Sequence, residues 1–192
     1  FQIDRMTPEL LEKVKAYHAA PKRPDRPLRE EVRQVRTIPI GEAIDVQREV
    51  LPYDRVDAII ASHDRFAVTT CICRHNAELS GHGCEAPQET CLMFGDRADY
   101  YVREGKGRAL ELEEVLEIIA RADEANLVLQ PSNSQDVAFL CCCCGCCCSV
   151  LGGLKAQPKP AAAVGSPYIA RLDADACASC WTCIDRCQME AL

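Results

Sequence analysis

Fifteen of the 192 residues are cysteine, and they fall into three constellations whose spacing points to metal or cluster ligation. Near the C-terminal end Cys177, Cys180, Cys183 and Cys187 spell C-x2-C-x2-C-x3-C. Such short gaps wrap the backbone around a 4Fe-4S cubane and let its amides hydrogen-bond the sulfides, whereas zinc sites usually show two separated pairs. In the middle, Cys71, Cys73, Cys84 and Cys91 lie within CICRHNAELSGHGCEAPQETC and are expected to converge on one 4Fe-4S cluster, with zinc as the rival ligand. Arg74 and a helix start at Cys91 would offset part of that cluster's negative charge. His75 and His82 stand close by, either as replacements for a thiolate or as solvated loop side chains.

The third constellation is the run CCCCGCCC, comprising Cys141, Cys142, Cys143, Cys144, Cys146, Cys147 and Cys148 around Gly145. In an extended chain successive side chains point to opposite faces, so Cys141 with Cys143 and Cys142 with Cys144 would address two sides. Seven thiols do not fit one compact cubane, and Gly145 permits a sharp turn between the halves. Several readings stay open. The run can hold a cluster of unusual nuclearity, or serve two clusters from opposite faces that share Cys71 and Cys73. Alternatively only three or four of the thiols bind metal and the rest pack as small buried side chains. A metallothionein-like buffer is the weakest reading, because the remainder of the chain is well patterned.

Composition excludes much else. Disulfide frameworks belong to small secreted chains with an even cysteine count; here the count is odd and the spacing is clumped, so a reducing compartment is expected. No secretory leader and no apolar run near the ~20 residues of a membrane span is visible, so the chain reads as cytoplasmic. The net charge of −7 argues against nucleic acid as a partner, since phosphate binding needs a basic footprint. Lys22, Arg23, Arg26, Arg29, Arg33 and Arg36 among Pro21, Pro24 and Pro27 read as a solvated, proline-stiffened linker. Both ends read as cut from a longer protein.

The elements that must position these thiols follow from periodicity. Thr7-Pro8-Glu9 is a helix start, with Leu10, Leu11, Val14 and Tyr17 at helical spacing. A second helix is expected over residues 53–62, with Val56, Ile59 and Ile60 inward. A strand is expected from Phe66 to Arg74, aiming Cys71 and Cys73 the same way. A loop at Gly81 and Gly83 leads to a helix over residues 88–104, with Cys91 in its first turn and Gly105 past its end. The next helix, over residues 112–125, carries Leu112, Val115, Leu116, Ile119 and Ala122, and its acidic start suits the helix dipole. Strands around Leu127–Leu129 and Val137–Leu140 complete a helix-strand-strand pattern like part of a winged helix, which with this charge is expected to pack rather than to read DNA. The Gly-, Pro- and Ala-rich segment after residue 151 reads as a linker.

The stretch VLPYDRVDAIIASHDRFAVTTCICRHNAELSGHGCEAPQETCLMFGDRADYYV, with LVLQPSN and FLCCCCGCCC, resembles a family of ferredoxin-like iron–sulfur proteins of anaerobic bacteria. In that family a cysteine-rich module precedes a two-cluster ferredoxin domain. The resemblance implies cluster binding and electron transfer to a redox protein partner, as a carrier or as a subunit of an oxidoreductase. Gln188 stands where the ferredoxin run usually has Pro, and the second half of a two-cluster domain is missing. Cys177, Cys180 and Cys183 would then share a cubane whose last ligand lies beyond Leu192, and Cys187 would serve another. Cys143-Cys144-Gly145 also resembles the cysteine-rich domains of heterodisulfide reductases, which implies a noncubane cluster and thiol or disulfide chemistry. An α+β protein is expected, divided into a helix and linker (1–37), a cluster module (38–151), a linker (152–165) and a partial ferredoxin-like module (166–192). A redox- or metal-sensing regulator is a further reading.

Overall fold

The structure is a computed structural model, and it describes residues 6–19, 34–39, 54–160, 166, 168 and 170–191. Most of the arginine- and proline-rich segment and Tyr53 therefore lie outside the described residues. Helices and an antiparallel sheet share the chain, so the α+β expectation holds. None of the helices described is long and apolar enough to cross a membrane.

The chain opens with α1 (Pro8–Ala19), where the Thr7 hydroxyl accepts from the Leu10 amide at 3.2 Å, as expected of an N-cap. Next come α2 (Val56–Ala61), β1 (Phe66–Thr70), α3 (Ile72–Leu79), β2 (Glu89–Phe94) and α4 (Gly95–Arg103). They are followed by β3 (Arg108–Leu110), α5 (Leu112–Glu124), β4 (Val128–Pro131), β5 (Phe139–Cys143), α6 (Ser149–Lys155) and α7 (Thr182–Arg186). The sheet runs β3-β1-β2-β5-β4, with every neighbouring pair antiparallel.

Period-two alternation gives the sheet two different faces. Phe66, Val68, Leu92, Phe94, Leu129, Leu140 and Cys142 join α2 and α5 in the main core, to which α5 contributes Val115, Ile118, Ile119 and Ala122. The other face carries Ala67 and Met93 under α4, and Cys141 and Cys143 under α6. Burial of this apolar surface, at about 25 cal/mol per Å², is the main favourable term that holds the layers together.

Two sequence expectations fail around β2. The segment 88–104 is not one helix: its first part is a central strand, paired with β1 and β5, and Cys91 sits on that strand. A strand buried on both faces reads as a continuous apolar run, which periodicity alone does not separate from a helix. Gly95, at φ +54°, marks the switch from strand to α4, and Gly105, at φ +63°, follows that helix as expected. The strand expected over residues 66–74 ends at Thr70, where the ladder to β2 slips register. Cys71 then becomes the N-cap of α3 and Cys73 lies in its first turn, so the two are not alternating strand positions.

Smaller differences concern what is exposed. Leu112 and Leu116 are largely exposed on α5 while Ile118, not anticipated as core, is buried. The β4–β5 hairpin is no free wing, because β5 also pairs with β2. Helix α6 runs through Gly152 and Gly153, at the start of the expected linker. Arg36, read as part of a solvated linker, is buried and pairs with buried Asp54 at 2.8 Å. Its guanidinium also donates to the Ser132 and Ser134 carbonyls, and Val35 and Ile38 form isolated bridges to Ser132, just past β4, and to Leu129 on it.

Candidate metal centre

The thiols divide by face of β5, not by constellation in sequence. Cys84, Cys144, Cys146 and Cys147 bring their sulfurs within 4.8 Å of one another, and among the described residues this is the one such group of three or more ligand-type side chains. Cys84 comes from the loop after α3, Cys144 from the end of β5 and the other two from the turn beyond Gly145. The Cys84 and Cys144 sulfurs are 3.9 Å apart and those of Cys146 and Cys147 3.7 Å. Neither His75 nor His82 joins the group; His82 contributes only its carbonyl, 4.0 Å from the Cys147 sulfur.

On the opposite face six further thiols form a row. Cys91 and Cys141 are cross-strand partners with sulfurs 3.8 Å apart. The row then continues by thiol contacts from Cys141 to Cys143, Cys148, Cys73 and Cys71. The expected single site of Cys71, Cys73, Cys84 and Cys91 is therefore split, with Cys84 on one side and the other three on the other. That split follows from Cys91 lying on β2, with its side chain opposite to Leu92 and so away from the main core.

Cys142 belongs to neither set. It points into the main core with 1% of its surface exposed, and burial raises its pKa to about 12. Such a thiol stays protonated and packs as a small hydrophobe.

Arg74 sits at the junction. Its side chain is fully buried, its guanidinium donates to the Cys142 carbonyl (3.2 Å), the Cys144 sulfur (3.6 Å) and the Thr90 hydroxyl, and its Nε has no hydrogen-bond partner. Among the described residues it forms no ion pair with a carboxylate. A buried cation is tolerated only beside compensating negative charge. Here burial opposes the charge, but Cys71, Cys144 and Cys143 outweigh it and raise the Arg74 pKa. The effect is reciprocal at Cys144: burial pushes its thiol up, but hydrogen bonds from Arg74, the Cys147 amide and the Cys146 thiol bring it down to about 7.

Within the row one thiolate is stabilised and its neighbours are pushed above the ordinary thiol range. Hydrogen bonds from Cys148 and Cys71 hold the Cys73 pKa at about 2. Cys148 is raised by its bonds to Cys143 and Cys73 and by burial, and Cys71 by its bond to Cys73 and by burial. Cys143, bonded to Cys141, is raised as well. Although Cys143 donates to Cys141, the neighbouring Cys91 and burial push Cys141 far above the ordinary thiol range. Gln130, 1% exposed on β4, donates to the Cys148 sulfur at 3.6 Å and also bonds Cys143. Ser149 contacts the Cys73 sulfur at 3.7 Å. Gln130 and Ser149, which meet sulfurs, and Thr90, which bonds Arg74, are site residues with no warning in the sequence, since nothing local marks which polar side chain tertiary packing will bring to a thiol or its counter-ion.

Cys177, Cys180 and Cys183 are exposed and Cys187 is half-buried, and the four do not converge as Cys84, Cys144, Cys146 and Cys147 do. The backbone between them turns through left-handed residues at Ser179 (φ 52°) and Trp181 (φ 66°), and the Ala191 amide donates to the Cys187 sulfur at 3.4 Å. This segment docks beside the cysteine run. The Gly145 amide donates to Gln188 Oε1 at 2.7 Å, Arg186 pairs with Asp123 at 2.6 Å, and Lys155 pairs with Glu190 at 2.7 Å. Gly145 is required by this approach rather than by its φ, because a Cβ there would lie 2.0 Å from the Gln188 carbonyl oxygen.

Searches for relatives return no family model, no curated protein and no solved structure that matches this chain.

Proposed function

We propose that this chain is an iron–sulfur electron-transfer protein, acting in a reducing compartment as a carrier or as the electron-transferring subunit of an oxidoreductase. The observation that carries the reading is Arg74, a fully buried guanidinium whose neighbours are thiols instead of carboxylates. A cation in that position needs thiolates beside it, and thiolates crowded at this density need metal to offset their mutual repulsion. Iron is favoured over zinc by the ferredoxin-type spacing of Cys177, Cys180, Cys183 and Cys187 and by the number of thiols beyond the four that one zinc ion takes. Clusters bound there would exchange single electrons with a redox partner, at potentials set by ligation, burial and hydrogen bonds to sulfur.

In this reading residues 38–151 form the cluster module and residues 166–192 the first half of a ferredoxin-like 4Fe-4S domain. The protein's own part is electrostatic and structural. Arg74 supplies fixed positive charge, and β5 and the starts of α3 and α6 fix the sulfur positions. The contact of Gln188 with Gly145 ties the C-terminal segment, next to Cys187, to the cysteine run. Gln188 stands where Pro is expected, and its side-chain carbonyl accepts the Gly145 amide proton, which a proline ring has no atom to do.

One observation favours a second reading for one site. Sulfurs within 4.8 Å of one another approach the roughly 3.8 Å separation of a tetrahedral ion with metal–sulfur bonds of about 2.3 Å, while a cubane holds its thiolates farther apart. Cys84, Cys144, Cys146 and Cys147 would then hold a single structural ion beside redox centres elsewhere. EPR-monitored reductive titration of the anaerobically purified protein tests the proposal. It predicts more than one signal, of which Cys180→Ser removes one and leaves the rest; a protein silent in both oxidised and reduced states would refute it.

A further inference from the structure

The row on the α6 face of the sheet, formed by Cys71, Cys73, Cys91, Cys141, Cys143 and Cys148, stands apart from the four sulfurs gathered around Cys144. We infer that this row is a second metal centre, separate from the first and containing more than one metal atom, with thiophilic ions of the iron–sulfur class as its ligand. The inference deepens the reading above and rests on it for the identity of the metal; the separation of the two centres does not depend on it.

Four observations carry it. The backbone of β5 lies between the two sets, because Cys141 and Cys143 project to one face and Cys142 to the other, with Cys144 joining the main core beyond the strand. Six soft ligands exceed what one tetrahedral ion takes, and their string of pairwise contacts, with no three sulfurs mutually within 4.8 Å, matches a centre with metals spread along it. The ligands come from rigid positions, namely β2, β5 and the starts of α3 and α6. Gln130 is a buried amide whose donors meet two sulfurs of the row, the hydrogen bonding that outer partners give to metal-bound thiolates.

Cys142 shows what a merely packed thiol looks like in the same strand. It is as buried as its neighbours, yet it forms no hydrogen bond with another thiol and receives none from a polar side chain. A row of packing thiols would need no buried Gln130 amide bonded to two of its sulfurs.

The test compares metal per chain and EPR spectra of the full chain after anaerobic reconstitution with ferrous iron and sulfide, for the unaltered protein and for Cys84→Ser, Cys91→Ser, Cys143→Ser and Cys142→Ala. Parallel loading with cobalt(II) alone counts thiolate sites without sulfide. Cys91→Ser and Cys143→Ser are expected to lose the same signal and the same share of the metal. Cys84→Ser should lose a different share, and Cys142→Ala none. Should Cys143→Ser not fold, as read by far-UV circular dichroism, half-buried Cys91 carries the comparison alone. Retention of full metal content by Cys91→Ser would overturn the inference, as would loss of one common signal in Cys84→Ser and Cys91→Ser. A Cys91–Cys141 disulfide that persists in the metal-loaded protein would also overturn it. Absence of acid-labile sulfide from the unaltered protein would instead refute the iron–sulfur reading, and the cobalt counts would still decide whether the centres are two.

Discussion

At the scale of single residues, the account turns on Arg74 and Cys142, two buried side chains with opposite fates. Arg74 brings a positive charge within hydrogen-bond reach of Cys144, so it stabilises the more negative, reduced state of any redox centre held there. A unit charge a few ångström away at an effective dielectric of about 20 contributes a few kcal/mol. Arg74→Gln, which keeps hydrogen-bonding capacity but not charge, should therefore lower that centre's midpoint potential by on the order of 100 mV; spectroelectrochemical titration would show it, and an unchanged or raised potential would argue against the placement. Cys142→Ala removes only one sulfur from a packed core. It should cost about 1 kcal/mol in chemical denaturation and leave the metal content untouched. The alternation that sends Cys141 and Cys143 to one side and Cys142 to the other was legible in the sequence. Which thiols belong together was not legible, because the partition depends on Cys91 sitting on a strand opposite Cys141, a contact between residues fifty positions apart.

At the scale of elements, local signals worked where one face meets water and failed where both are covered. Helices α1 and α5 begin where Thr7-Pro8 and the acidic turn at Glu111 predict, with the Glu111 amide donating to Glu114 at 3.1 Å. Strand β2 was misread because Leu92, Met93 and Phe94 are all buried, leaving no alternation to detect. The contact of Arg36 with Asp54 was invisible as well, since a run of arginines among prolines carries no sign that one of them will be buried. Asp54→Asn would remove the carboxylate that pairs with that buried guanidinium, and a loss of about 3 kcal/mol is expected in equilibrium unfolding. The junction between the cysteine run and the C-terminal segment is set by steric approach at Gly145. Gly145→Ala places a methyl where the Gln188 carbonyl lies, so the C-terminal segment must be displaced. Limited proteolysis should then cut near residues 170–190 faster than in the unaltered protein, while the sheet stays intact by circular dichroism.

At the scale of the whole molecule, one antiparallel sheet holds ten thiols on two sides of a single strand, and the turn that ends it anchors, through Gln188, the segment that carries four more. The apolar layer of α2 and α5 stabilises the sheet from one side, and the opposite side is divided between α4 over Ala67 and Met93 and the row of sulfurs under α6. That division accounts for a chain in which burial and thiol crowding raise Cys71, Cys141, Cys143 and Cys148 together. Metal binding requires those thiols to be deprotonated, so loading should release protons and should weaken as pH falls. The most direct measurement is the iron, acid-labile sulfide and zinc content per chain of protein purified without oxygen. The account predicts a coloured protein with iron and sulfide in near-equal amounts, exceeding the ~4 irons of one cubane. A colourless protein containing zinc and no labile sulfide would contradict it.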